Sequence, residues 1–256
     1  MTFFLAFSNG LFAAADAAAN AAPRLLNSLA ELAGQLLPGF GATLLIFVLT
    51  LLISLPLGLL TAFGRMSKIK LIRYPVQAVI SVLRGTPLML QLLVVFFGPY
   101  WILGIPLNDF FPYSIDMGFF TLDYRFVAVI IGFSVNYAAY FAEIYRGGIE
   151  AISQGQHEAG AVLGFSKAQT FVYIILPQVF RNILPGITNE VVTLVKDTSL
   201  AYTLSFAEMY MTASKIASYR ANMTPIFVAG LFYYTTNFIV QLVMGKMEKR
   251  LDYYKR

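Results

Sequence analysis

From Leu36 to Gly64 the chain carries no charged residue. A run of that length is enough for a helix to cross the hydrocarbon layer, which takes about 20 residues. Inside such a layer every backbone N–H and C=O must be satisfied within the protein, and helices do this locally. Further apolar runs occupy 74–104, 126–145, 183–205 and 223–245. The expected fold is therefore an all-α integral membrane protein with about five transmembrane helices. Composition agrees: 58% of residues are hydrophobic and 12% charged, with a mean hydropathy of +0.70, against about 25% charged in soluble domains.

The run 74–104 is too long for one straight crossing at about 1.5 Å per residue. Gly85 and Pro87 within "RGTPL" invite a kink, so it reads as one bent span. Charge sets the orientation. "RMSKIKLIR" places Arg65, Lys68, Lys70 and Arg73 together without an acid, which marks a cytoplasmic loop. The connection 105–125 carries Asp109, Asp116, Asp123 and a single Arg125, as an outside loop does. The loop 146–181 is flanked by Arg146 and Arg181, and the tail 249–256 is basic. Five spans put the N-terminus outside and the C-terminus in the cytoplasm.

The net charge of +5 sits at the ends of apolar runs, where membrane lipid explains it and nucleic acid does not. Cysteine is absent, which removes disulfides and thiolate sites. His157 is the single histidine, so neither a metal cluster nor a Ser/His/Asp triad is expected, and no phosphate-loop motif is present. The chain is not expected to be an enzyme or to bind a cofactor. Residues 1–35 stand apart. No Lys or Arg precedes Arg24, which argues against a signal peptide. Leu25, Leu29, Leu32 and Leu36 recur at helical spacing, so an amphipathic helix lying in the interface ahead of the first span is expected.

"EAGAVLGFSKAQTFVYIILP", residues 158–177, fits neither anchor nor ordinary loop. Ala159, Gly160 and Gly164 form a small-residue stripe that lets another surface approach closely. Glu158 should begin a short helix, Gly164 should end it as a C-cap, and Leu176–Pro177 should stop the next segment and aim the fourth span. The spacing resembles the cytoplasmic signature of ABC importer permeases, Glu-Ala-Ala, three residues, Gly, nine residues, Ile-x-Leu-Pro, with Gly160 in place of the second Ala. "RGTPL" at 84–88, "NYAAYFAEIYRGGIEAISQGQHEAG" at 136–160 and "KDTSL" at 196–200 resemble the polar amino acid permease branch. The likeness runs from about residue 39 to the end. It implies a type I ABC importer transmembrane domain over 36–248, multi-pass in a bacterial inner membrane, with 158–177 as the coupling helix region. The implied partners are a pair of ATP-binding cassette ATPases that hold ATP and Mg, a second permease copy or paralogue forming a dimer, an extracytoplasmic substrate-binding protein, and an amino acid substrate.

Charged groups inside a bilayer cost at least ~2.5–3.5 kcal/mol on insertion scales, so each asks for a function or a partner. On the fourth span Glu190 and Asp197 are seven residues apart, two helical turns, with Asn189 and Lys196 repeating that spacing on the next face. Lys196 and Asp197, with neighbouring Thr198 and Glu190, either meet the two charges of a zwitterionic amino acid or form an ion-pair network that includes Arg84. Asn136, Tyr137, Tyr140 and Glu143 recur on the third span. They either line the pathway or, for the tyrosines, pack on the fourth span, and Glu143 has Arg146 within reach. A secondary carrier or ion channel relaying charge through Glu143, Glu190 and Asp197 is the alternative function, followed by a non-transporting scaffold. Neither requires a docking helix at 158–177.

Overall fold

A computed structural model describes the backbone of residues 2–106, 109 and 111–251, and the side chains of these from residue 26 onward. Helix α1 runs unbroken over Thr2–Arg65. Its described apolar part, Leu26–Arg65, has 40 residues and is about 60 Å long, roughly twice the hydrocarbon thickness. The segment carrying Leu29, Leu32 and Leu36, expected to lie in the lipid interface, thus continues the first span as one helix, and the Leu25 side chain lies outside the described residues. Leu32 and Leu36 are buried, and Leu36 joins Met209, Ala213 and Ala229 in a small core. For Leu32 and Leu36 a protein surface provides the cover, which the sequence pattern alone could not distinguish from lipid.

Helices α2 (Lys70–Gly85) and α3 (Leu88–Leu103) correspond to the bent second span, but the chain turns by 115° between them. That is a break rather than the expected kink, because Thr86 and Pro87, in extended conformation, separate two helices of 16 residues. Among the described residues four helices are long and apolar enough to cross a membrane, and the α2–α3 pair counted as one makes five. The connection after α3 holds a hairpin of two-residue strands, β1 (Ile115–Asp116) against β2 (Thr121–Leu122), antiparallel with Ile115 facing Leu122. This is a local addition to the all-α expectation. The Asp116 carboxylate closes its turn by accepting from Gly118 N at 2.8 Å.

Helix α4 (Tyr124–Glu150) begins where the Asp123 side chain accepts from Phe126 N, a standard N-cap arrangement. It occupies the centre of the bundle. Phe133, Tyr137 and Phe141 are buried on it and pack with Ile46 of α1, Leu92 of α3 and Leu194 of the fourth span. Helix α5 (Gln154–Val162) and the single turn α6 (Lys167–Thr170) follow. The chain then continues through a π turn at Phe171–Ile175 into α7 (Leu176–Asp197) and a 3₁₀ turn at Thr198–Leu204. Helix α8 (Met209–Arg220), absent from the sequence expectation, sits between the fourth and fifth spans. Helix α9 (Thr224–Leu251) closes the described chain. Its Ala229 is buried, while Phe227, Leu231, Tyr234 and Phe238 are exposed.

The central contact between α1 and α4 has no spare room. A Cβ on Gly58 would lie 2.7 Å from Phe141 Cβ and 3.1 Å from Ala138 O, atoms fixed to the α4 backbone. Overpacking of this kind costs about 1–3 kcal/mol. Gly58→Val should therefore lower the thermal unfolding midpoint of the purified protein, whereas Gly34→Ala, which meets no atom within 4 Å, should not. Equal midpoints for the two variants would refute the close α1–α4 approach.

Candidate functional site: a docking loop and a polar layer

Helix α5 starts at Gln154, so Glu158 lies inside it rather than at its head. Its end is a paired C-cap: Gly164 N donates to Ala161 O and Phe165 N to Gly160 O, both at 3.0 Å. This is the Schellman pattern, which needs a left-handed residue after the helix. Gly164 supplies it at φ +77°. A new helix starts at once through a capping box, with Ser166 Oγ accepting from Gln169 N and Gln169 Oε1 accepting from Ser166 N.

Gly160 is not part of a surface stripe. It is buried against Thr170, and a Cβ there would stand 2.6 Å from Thr170 Oγ1. Glycine at this position permits α5 to lie on α6. Ala159 and Gly164 remain exposed. Beside them Val162 and Leu163, 87% and 68% exposed, put an apolar knob on the loop tip. The loop is tied to the fourth span by Gln178 Nε2, which donates to Gln156 Oε1 at 3.0 Å and to Ile174 O at 2.8 Å. Leu176–Pro177 does not stop the segment. Pro177 falls in the first turn of α7, and the π turn before it has Leu176 N reaching back to Phe171 O. The wider turn accommodates a residue that lacks an N–H and would clash with the preceding turn of a regular helix. The α5 tip is thus joined to the base of α7 by α6 and by Gln178.

The polar residues of the spans separate into groups. Glu143 accepts from Arg65 Nε at 3.3 Å and from Arg146 Nη2 at 2.7 Å, and Arg146 also bonds Glu150. This cluster joins the ends of α1 and α4. Asn136 donates from Nδ2 to Leu83 O and to Gln91 Oε1, while Gln91 Nε2 donates to Leu83 O and Thr86 O. Asn136 and Gln91 thus satisfy carbonyls left free where α2 ends. Arg84 lies 5.2 Å from the centre of the Tyr140 ring. Thr198 is buried and donates to Val195 O.

Lys196 and Asp197 go to different neighbours. Asp197 Oδ2 accepts from Tyr137 OH of α4 at 2.8 Å, and the Lys196 side chain lines a cavity against α9. Neither Lys196 nor Glu190 has an ion pair within 4 Å among the described residues.

One buried acid was missed. Glu208 is fully buried and caps α8, accepting from Tyr210 N and Met211 N at 2.7 Å and from Tyr233 OH of α9 at 2.9 Å. It is the sole charged residue between Asp197 and Lys215, a signal that was legible as a lone carboxylate in an apolar stretch.

The sequence model for binding-protein-dependent transport system inner membrane components matches residues 54–253, and the chain belongs to that family. Similar proteins include an L-cystine transport system permease protein, TcyB, of Bacillus subtilis (strain 168), 34% identical over 84% of this chain and 86% of its own. An arginine transport system permease protein, ArtQ, of the same organism is 32% identical over 84% and 92%. Among solved structures, an amino acid ABC transporter with histidines superposes with a TM-score of 0.74 at 29% identity, covering 87% of this chain and 97% of that one. The MetNI methionine ABC transporter shares the fold at 18% identity, with a TM-score of 0.58.

The Glu208 cap separates charge from acceptor geometry. Glu208→Ala strands two backbone donors and a tyrosine hydroxyl, each costing about 1–3 kcal/mol when buried unpaired. Glu208→Gln retains one acceptor oxygen. Thermal midpoints should fall in the order wild type, Gln, Ala, and an alanine variant as stable as wild type would refute the cap.

Proposed function

We propose that this chain is the membrane permease subunit of an ATP-driven importer of polar amino acids and supplies half of the translocation pathway. The observation that carries the reading is the α5 tip, a rigidly capped helix presenting exposed Val162 and Leu163 beside small residues. An apolar knob held this firmly is suited to a groove on a moving partner, and an ATPase pair that binds ATP and Mg is that partner. The relatives named for L-cystine and arginine support α-amino acids as cargo, delivered by an extracytoplasmic binding protein. The second half of the pathway comes from another permease copy or a paralogue, in a bacterial inner membrane. Lys196, Asp197 and Glu190 on α7 are the charged groups nearest that pathway. A charge relay through Glu143, Glu190 and Asp197 is disfavoured, because Glu143 is held by two arginines and Asp197 by Tyr137.

In this reading the N-terminus faces outward, and Lys68 and the α5 tip face the cytoplasm. The wild type has no cysteine, so single replacements are informative. Cysteine at position 116 should react with an impermeant thiol reagent in intact cells, and cysteine at position 68 should react only after lysis. The reverse pattern would overturn the orientation.

Leu163→Asp tests coupling without disturbing the strained backbone at Gly164. Leu163 is exposed, so the chain should fold and insert at normal levels. Co-purification of the ATPase and ATP-dependent amino acid uptake should both be lost. Retention of both would sink the docking assignment.

A further inference from the structure

We propose that the start of α2 and the loop before it, residues 68–79, form a membrane-surface site that binds acidic phospholipid of the cytoplasmic leaflet. Such a site is independent of what is carried. It shares with the importer reading only the cytoplasmic placement of Lys68.

Helix α2 sorts its side chains into three faces. Val76, Ile80 and Leu83 turn to the protein, where Ile80 is buried among Ala62 of α1 and Ala139 and Ala142 of α4. A Cβ on Gly64, one residue before the end of α1, would stand 3.2 Å from Val76 Cγ2. The first half of α2 therefore lies at the level where the first span ends. Arg73, Gln77, Ser81 and Arg84 follow one another at helical spacing and make a polar row. Leu71, Pro75, Val79 and Val82 repeat that spacing on the opposite side. All four are exposed, Leu71 at 84% and Val79 at 56%.

Exposed lysines are satisfied by water, so charge alone calls for no partner. The apolar row between them does call for cover. Ile69, Leu71 and Ile72 are exposed and alternate with Lys68, Lys70 and Arg73. Lys68 and Lys70 are exposed too, with no acid within 4 Å among the described residues. No Asp or Glu occurs between Glu31 and Asp109, so the positive charge here is uncompensated along the chain. Arg73 stacks over Tyr74, 5.1 Å from the ring centre, and tyrosine favours the headgroup level of a bilayer.

A soluble protein groove covers apolar surface, but it has no reason to meet a ring of cations. An acidic leaflet meets both, since lysine stems lie along apolar surface while their ammonium groups reach the headgroups. The apolar row is also continuous with the exposed Leu60 and Phe63 on the last turns of the first span, which face the same hydrocarbon. A helix with separate basic and apolar sides, close to a right angle with α3, suits the boundary between headgroups and chains. Its far end dips inward, because the Leu83 carbonyl accepts from Asn136 of α4.

The wild type has no cysteine, so a fluorophore on Leu71→Cys or Gln77→Cys is unique. The labelled permease, assembled with its ATPase, is placed in phosphatidylcholine nanodiscs that contain brominated phosphatidylcholine or brominated phosphatidylglycerol. The bromines, which quench on contact, sit near the headgroup or near the chain end. The label at 71 should be quenched more by shallow bromines than by deep ones, and more by phosphatidylglycerol than by phosphatidylcholine. The label at 77, on the polar row, should be quenched little at either depth. Lys68→Gln and Lys70→Gln should each lower the preference for phosphatidylglycerol about fivefold, the size of ~1 kcal/mol per cation at an acidic surface. Val79→Cys, two turns along the apolar row, should show the same preference and replaces Leu71→Cys if that labelled protein loses the wild-type thermal midpoint.

Absence of quenching at both 71 and 79 means that protein covers the row, a second permease copy or the ATPase, and overturns the site. Deep quenching that exceeds shallow at 71 overturns it by making α2 part of a span. Equal quenching by the two lipids in wild type, or a preference unchanged by both lysine substitutions, removes the acidic phospholipid. Equal quenching at 71 and 77 refutes the sidedness of α2. Uptake tests the importer reading separately, and that reading survives each of these results.

Discussion

The hydrocarbon layer offers no water to a polar group, and the arrangement of this bundle follows from where each such group finds a partner. Helix α4 meets most of that demand. Its Asn136 satisfies the broken end of α2, its Tyr137 donates to Asp197, and its Glu143 gathers Arg65 and Arg146. Phe133 and Phe141 fill the space between these contacts. Since α1, α2, α3 and α7 each reach α4, a helix carrying both apolar bulk and spaced polar groups organises the others. The 115° turn between α2 and α3 is tolerable in this setting because Asn136 and Gln91 cover the freed carbonyls.

A second centre lies away from α4. Leu36 of α1, Met209 and Ala213 of α8 and Ala229 of α9 pack together, and Glu208 binds the cap of α8 to Tyr233 of α9. The two centres share α1. Helix α5 is joined to α7 through Gln178 and the π turn, while α8 and α9 are held by a different set of bonds.

Much of this was legible in residue order. The apolar runs located the spans, because span length is a property of the hydrocarbon thickness and needs no tertiary information. Within the segment 158–177 the end of α5 was legible because a cap acts locally: Gly164 takes the left-handed conformation that a C-cap of this kind requires. Helix α8 was not legible as an element. Its residues are of mixed polarity, and its burial depends on the partners α1 and α9 provide. The interfacial reading of the leucine stripe failed for a related reason, since an apolar stripe is equally satisfied by lipid or by another helix.

The sequence by itself determined the class of solvent, the number of apolar runs, the local caps and which residues carry charge. Tertiary structure alone decided which way each charge faces. Lys196 and Asp197 are neighbours in sequence, but adjacent positions on a helix are separated by about 100°, so one reaches α9 and the other Tyr137 on α4. Gly160 shows the same limit. Its lack of a side chain was evident in the sequence, but only the packing of α5 on Thr170 shows that the space belongs to this chain rather than to a partner. Periodicity specifies a face, and the helix opposite that face is chosen by the whole bundle at once.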